Sequence, residues 1–240
     1  GTTGALDSGA VYVYKRTGST WAQEAYIKAA NSDTADQFGY SVSLDQDTLA
    51  VTASYEDSGQ TTITNGTTAP GTTGADNSGA VYVYKRTGST WAQEAYIKAA
   101  NSGTDDYFGR SVSIGQDTLA VGAYGEDSGQ TTITNGTTVP ADPGTVNSSG
   151  AVYVCKRTGS TWAQEAYIKT ANNGDTYDYF GSGVSLDQDT LAVAAYREDS
   201  NQNTITNGTT AISVNGAGDA GAVYVYKRTG SAWAQEAYIK

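Results

Sequence analysis

Ser8-Gly9-Ala10-Val11-Tyr12-Val13-Tyr14-Lys15-Arg16-Thr17-Gly18-Ser19-Thr20-Trp21-Ala22-Gln23-Glu24-Ala25-Tyr26-Ile27-Lys28-Ala29-Ala30-Asn31-Ser32 recurs without a change as Ser78 to Ser102. A third copy runs through Ala151-Val152-Tyr153-Val154-Cys155-Lys156-Arg157, and a fourth closes the sequence at Ala222 to Lys240. The four tryptophans, at 21, 91, 162 and 233, follow one another by 70, 71 and 71 residues. All three phenylalanines (Phe38, Phe108, Phe180) stand in a Phe-Gly pair at the matching point of successive copies. Self-similarity at a fixed period of about 70 residues announces a repeat architecture.

One period holds four strand signals. Tyr40-Ser41-Val42-Ser43-Leu44 alternates apolar and polar, the pattern of a half-buried strand. Asp45-Gln46-Asp47 turns the chain into Thr48 to Ala53, and a Gly/Thr/Asn-rich stretch from about Tyr55 to Ser78 follows. Gly79 to Lys85 is rich in β-branched and aromatic residues, as strands are. Arg86-Thr87-Gly88-Ser89 then reads as a hairpin turn into Trp91 to Lys98, whose alternation is less clean. No segment offers a helix of ten or more residues. The expectation is an all-β chain whose units are four antiparallel strands each, the pattern of β-propeller blades.

Composition closes off several functions. The 240 residues carry 14 Lys plus Arg against 25 Asp plus Glu, a net charge of −11. That argues against a nucleic-acid partner, whose phosphates demand cations. With no histidine, a Ser-His-Asp triad, an HExxH zinc site and a histidine pH switch are all out of reach. One cysteine cannot make an internal disulfide, and no apolar run is long enough to span a membrane. Acidic residues repeat with the units, whereas an active site is singular, so we expect no enzyme and no cofactor other than calcium.

The run Phe-Gly-x-Ser-Val-Ser, then Asp-Thr-Leu-Ala-Val-x-Ala, Glu-Asp-Ser, Ser-Gly-Ala-Val-Tyr-Val-Tyr and Trp resembles the FG-GAP repeat. Phe38-Gly39, Phe108-Gly109 and Phe180-Gly181 match its FG, and Val121-Gly122-Ala123-Tyr124 comes nearest its GAP. The resemblance implies an integrin-α-like propeller of the bacterial tandem-repeat type, extracellular or at the cell surface, serving as a binding or adhesion platform. The strands make about three and a half blades: a half-blade at 9–28 and blades at about 36–98, 106–169 and 178–240. We read all 240 residues as one repeat domain, expected to be a segment of a longer propeller or repeat array. Self-association or completion by further blades is expected with it. The N-terminal half-blade would then reflect where the segment was cut.

Antiparallel connectivity puts the Asp45-Gln46-Asp47 and Lys85-Arg86-Thr87-Gly88 turns on one face of a blade. The long loop and the link between blades lie on the other. Eight of the 14 basic residues fall on the short-turn face, and the long-loop face is acidic. Calcium wants several hard oxygens, and the resemblance implies a calcium loop between first and second strands. Asp45-Gln46-Asp47, Gly115-Gln116-Asp117 and Asp187-Gln188-Asp189 are too short for one. The better candidate calcium ligands are Glu56, Asp57, Glu126, Asp127, Glu198 and Asp199 with the inter-blade Asp36, Asp106 and Asp178. Against them stands a plainer role as side-chain caps of turns. Asp33, Asp105 and Asp175 lie in the same links. Asn65, Asn135 and Asn207 open Asn-Gly-Thr sequons and Asn147 a fourth, all candidate glycosylation sites; Asn-Gly is equally a turn. The strand tyrosines Tyr12, Tyr14, Tyr82 and Tyr84 read as packing rather than glycan stacking. Cys155 replaces the tyrosine of the other copies at a semi-buried site.

The function expected is a non-enzymatic binding or adhesion scaffold with a protein or glycan ligand. The alternative is a structural protein whose partners are other copies of itself, its opposed acidic and basic faces meeting head to tail in rings, stacks or filaments.

Overall fold

The structure, a computed structural model, describes residues 5–71, 74–139, 141, 144–171, 176–210 and 216–240. Asp175 lies outside them. Among the described residues there is no helix. The first unit is a hairpin of β1 (Val11–Thr17) and β2 (Thr20–Ile27). The second holds β3 (Val42–Asp45), β4 (Thr48–Ala53), β5 (Thr64–Asn65), β6 (Ala80–Thr87) and β7 (Thr90–Ile97). The third repeats this as β8 (Ser111–Gly115), β9 (Thr118–Ala123), β10 (Thr134–Asn135), β11 (Ala151–Thr158) and β12 (Thr161–Ile168). The fourth comprises β13 (Phe180–Asp187), β14 (Thr190–Ala195), β15 (Thr206–Asn207), β16 (Ala222–Thr229) and β17 (Ala232–Ile239).

Each complete unit is an antiparallel sheet in the order β3-β4-β6-β7-β5 or its equivalent. The four expected strands are present, and a fifth is added. β5 pairs Thr64 with Tyr96 and Asn65 with Ala95 inside what the sequence marks only as a loop. Two residues are too few to carry a periodic pattern, so the signal was absent rather than misread.

The uneven alternation of the fourth strand has a cause. Val83 pairs with Ala95 but Tyr84 with Gln93, so Glu94 is an extra, bulged residue. The same shift leaves Glu24, Glu165 and Glu236 as extra residues in β2, β12 and β17. Past the bulge the inward set is reset, and Ala95, Tyr96 and Ile97 are all buried.

The hydrophobic cores lie between blades. In β6, Val81 and Val83 pack with Phe108, Val112, Leu119 and Trp162 of the next unit, while Tyr82 and Tyr84 pack toward the preceding hairpin. Period-2 alternation therefore gives each third strand one face for each neighbour. First strands also touch directly: Ser43 Oγ accepts the Ile114 N–H at 3.0 Å, and Ser113 Oγ that of Leu186 at 3.0 Å. Gly79 sets the joint. It sits at φ 79°, and a Cβ there would lie 2.0 Å from the Phe108 carbonyl oxygen. Gly150 meets Phe180 in the same way. This is why Ser-Gly-Ala and Phe-Gly are copied together: the glycine of one unit seats the phenylalanine of the next.

Candidate functional site

The long-loop face begins where the second strand ends. Glu56 follows it and is buried at 3 % exposure. Its carboxylate accepts from the Lys98 ammonium at 2.8 Å, the Tyr96 hydroxyl at 2.8 Å, the Asn31 amide at 3.0 Å and the Ser58 hydroxyl at 3.0 Å. Glu126 repeats this with Lys169 at 2.6 Å, Tyr167 at 2.7 Å and Asn101 at 3.0 Å. Glu198 does so with Lys240 at 2.5 Å and Tyr238 at 2.9 Å. Each glutamate is thus answered by the lysine that closes its own blade's last strand. Burial pulls Lys98 below the ordinary lysine range, and Glu56 acts in the opposite direction.

The aspartates cap turns. Asp57 Oδ1 accepts the Asn77 N–H at 2.8 Å, Asp127 that of Ser148 at 2.6 Å and Asp199 that of Asp219 at 2.7 Å. The three receiving residues lie at φ 52°, 50° and 55°, left-handed backbone that a local acceptor steadies. Asp36 Oδ2 takes the Asp33 N–H at 2.7 Å, and Asp106 Oδ2 that of Gly103 at 2.6 Å. Asp36, Asp106 and Asp178 are all buried. Desolvation pushes Asp36 up to about 6, with Glu56, Asp33 and Asp57 adding to it.

A cavity of about 80 Å³ is lined by Asn31, Asp33, Asp36, Glu56, Asp57 and Ser58. Among the described residues, however, no three Asp, Glu, Cys or His side chains are placed so as to hold one metal ion. The residues expected to hold calcium do not fit that ion as placed. The glutamates already carry a cation of the protein's own, and Asp36, Asp57, Asp106, Asp127 and Asp199 each spend an oxygen on a backbone N–H group.

On the opposite face Gln46, Gln116 and Gln188 turn the short hairpins at φ 52°, 55° and 54°. Three of the arginines there are engaged in ion pairs. Arg86 pairs with Asp47 of its own blade at 2.6 Å and with Glu24 of the preceding hairpin at 3.2 Å. Arg157 joins Asp117 and Glu94, and Arg228 joins Asp189 and Glu165, in the same geometry. The bulged glutamate also accepts the indole N–H of the next blade's tryptophan at 3.0 Å: Trp91 to Glu24, Trp162 to Glu94 and Trp233 to Glu165. The Trp91 indole, helped by Arg86, holds the Glu24 carboxyl below its ordinary range. Each guanidinium sits 5.4–5.7 Å from that tryptophan's ring, a cation–π contact. Three of the eight basic residues expected on this face, Arg86, Arg157 and Arg228, are thus held in ion pairs within the chain.

Two sequon asparagines are joints as well. Asn65 Oδ1 accepts the Trp162 N–H at 2.7 Å while its amide donates to the Trp162 carbonyl at 3.2 Å. Asn135 does the same to Trp233 at 2.8 and 3.3 Å. Asn207 and Asn147 are exposed, and neither has such a partner among the described residues. A glycan at Asn65 or Asn135 would have to break the joint, because the amide nitrogen that carries sugar is the one in use.

A further surface escaped the sequence reading. Tyr40, Tyr55, Tyr107, Tyr124, Tyr179 and Tyr196 form one continuous run across three blades. Successive ring centroids are 6.1, 5.4, 5.3, 5.2 and 5.3 Å apart. Tyr55, Tyr124 and Tyr196 follow the second strands, while Tyr107 and Tyr179 precede the Phe-Gly pairs. Arg110 lies 4.8 Å from the Tyr40 ring and 5.1 Å from that of Tyr124, and Arg197 lies 5.4 Å from Tyr179. Tyr40 and Tyr196 remain 38 % and 51 % exposed, so the run is a ridge and not a core. Its sequence signal is a tyrosine one or two residues after each Val-x-Ala and another beside each Phe-Gly pair. Of the strand tyrosines expected to pack, Tyr82 and Tyr84 are buried, as are Tyr153, Tyr224 and Tyr226, but Tyr12 and Tyr14 are 56 % and 54 % exposed, because no second strand lies beside β1 among the described residues.

No helix of the described residues is long and apolar enough to cross a membrane. Among curated proteins no sequence matches this chain. The family model described as FG-GAP repeat matches three times, at residues 21–84, 91–155 and 162–226. Each match starts at a tryptophan and carries one Phe-Gly pair into the following β-branched strand. Together with the repeated blades, the matches establish that the chain belongs to the FG-GAP repeat family.

Proposed function

We infer that the protein is a non-enzymatic binding scaffold, working outside the cell or at its surface, whose working face is the tyrosine–arginine ridge. The observation that carries this reading is the ridge itself: six tyrosines in contact across three rigid blades, with part of their surface left to solvent. Rigid aromatic side chains with polar tips supply contact area at low entropic cost, for a protein or for the faces of sugar rings. Arg110 and Arg197 add donors along the same line, and the acidic long loops border it. Adhesion follows if the ligand is fixed to a surface.

The test is binding of the protein to a glycan microarray and to intact cells, beside a variant carrying Tyr107→Ala, Tyr124→Ala and Tyr179→Ala. Loss of binding in a variant that unfolds like the parent supports the ridge. Equal binding by both proteins, or no binding by the parent to either probe, sinks it.

A further inference from the structure

Cys155 stands in β11 where Tyr84 stands in β6 and Tyr226 in β16. All three hold one register. Tyr84 faces Leu49 and Gln93, Cys155 faces Leu119 and Gln164, and Tyr226 faces Leu191 and Gln235. The backbone of the third unit thus keeps the place of a tyrosine whose ring is gone. The neighbouring phenylalanines register the loss. Phe38 meets Tyr82 and Tyr84 edge to face, with ring centroids 5.2 and 6.3 Å apart. Phe180 meets Tyr224 and Tyr226 in the same way at 5.4 and 6.2 Å. Phe108 keeps Tyr153 at 5.2 Å, but a thiol stands where its second partner would be.

A cavity of about 260 Å³ lies at this point between the second and third units. Phe108, Tyr153, Cys155 and Trp162, all buried, form its floor, and Lys98 lies in its wall. The exposed Thr61 and Thr137 complete the lining on the solvent side. Burial pushes the Cys155 thiol up to about 12, so it stays neutral and behaves as a small apolar group. An apolar void of about 150 Å³ is already enough to take up benzene.

We propose that this cavity is a binding site for a small, neutral, single-ring phenol, held where the other units carry a tyrosine of their own. The ring lies edge to face against Phe108, as Tyr84 does against Phe38 and Tyr226 against Phe180, a geometry that adds to what burial alone supplies. Its hydroxyl follows that of Tyr84, which points at the Lys28 carbonyl at 3.4 Å; Lys98 is the equivalent residue one unit on. The site selects against anions. The Lys98 ammonium is already held by Glu56 and Ser78, so a carboxylate entering this space would be stripped of water without gaining a cation. The cavity is distinct from the tyrosine ridge, and the inference does not depend on the ridge binding anything.

The probe is p-cresol, the tyrosine side chain as a free molecule, titrated into the protein while the four tryptophan indole N–H signals are followed by NMR. The Trp162 signal should shift and saturate, with a dissociation constant of about 0.1–1 mM for so small a ligand. Trp21, Trp91 and Trp233 should stay in place. Benzoate should bind at least about tenfold more weakly. Cys155→Tyr restores the residue of the other units and fills the space from within. It should raise the melting temperature by about 2–5 °C and weaken p-cresol binding at least about tenfold. A Trp162 signal unmoved at about 10 mM p-cresol, or one that shifts no more than the other three, overturns the proposal. Equal binding of p-cresol by Cys155→Tyr, equal binding of benzoate by the parent, or a lower melting temperature in the variant also overturns it.

Discussion

Replacing Lys169 by methionine should cost more than any surface change in this protein. Both members of the Lys169–Glu126 pair are buried, with side-chain exposures of 1 % and 0 %, and their charged atoms are 2.6 Å apart. At an effective dielectric of about 20, charges at that distance attract by about 6 kcal/mol before desolvation is set against it. The variant keeps Tyr167 and Asn101 on one carboxylate oxygen but leaves the charge itself without a cation. Removing one partner of a buried pair costs roughly 3–5 kcal/mol. For a chain of this size that is a fall in melting temperature of about 6–20 °C. The assay is urea unfolding followed by tryptophan fluorescence, with Lys169→Met, Glu126→Gln and the double variant forming a cycle. The double variant should recover at least about 2 kcal/mol of the summed loss, because the uncompensated charge is gone. A loss below about 1 kcal/mol for Lys169→Met, or strict additivity in the cycle, would refute the view that lysine takes the place of a metal ion here.

Asp36→Asn should stabilise the protein above pH 6. With Asp36 raised from 3.8 to about 6 in the fold, the native state holds that proton more tightly, so its contribution to stability is lost as pH rises from about 4 to about 6. Thermal melts of parent and variant should coincide near pH 4 and separate by about 1–3 kcal/mol at pH 8. Asn65→Ala removes both bonds to the Trp162 backbone and should cost about 1–2 kcal/mol, while Asn207→Ala, with no such joint, should cost under about 0.5 kcal/mol in the same denaturation assay. Calcium at millimolar concentration and EDTA should give the same melting curve, since the carboxylates are already committed; a rise of several degrees with calcium would contradict this. Cys155 is buried, and desolvation pushes its thiol up to about 12. It should therefore react with a thiol reagent only in denaturant, giving under about 5 % labelling of the native protein in an hour.

Strand positions, hairpin turns and the repeat period were legible because each is local. Val81-Tyr82-Val83-Tyr84 carries its alternation in adjacent residues, and Thr87-Gly88 carries its turn. What was not legible depends on contacts between units. Glu94 looks like a surface charge interrupting a strand, and only pairing shows it to be the bulged residue that bonds Trp162. Glu56 and Lys98 lie 42 residues apart and read as an acidic loop and a strand end. Their pairing at 2.8 Å supplies the glutamate with a cation from within its own blade. The tyrosine ridge joins residues from three blades, so no single repeat displays it. The capping role of Asp57, Asp127 and Asp199 was the plainer of the two readings weighed, and their bonds follow it.

The bulged glutamate has a consequence for how such a chain is written in a genome. Every repeat carries both halves of its joint: Trp91 and Arg86 accept the unit before, and Glu94 and Asn65 grip the unit after. Duplicating the coding segment therefore duplicates a plug together with its socket, and the new neighbour fits without any compensating mutation. Growth by unequal recombination is structurally silent in such a chain, whereas drift at one joint is penalised at the next. The 25 residues that stand unchanged between two copies include the tryptophan, the arginine and the bulged glutamate of that joint.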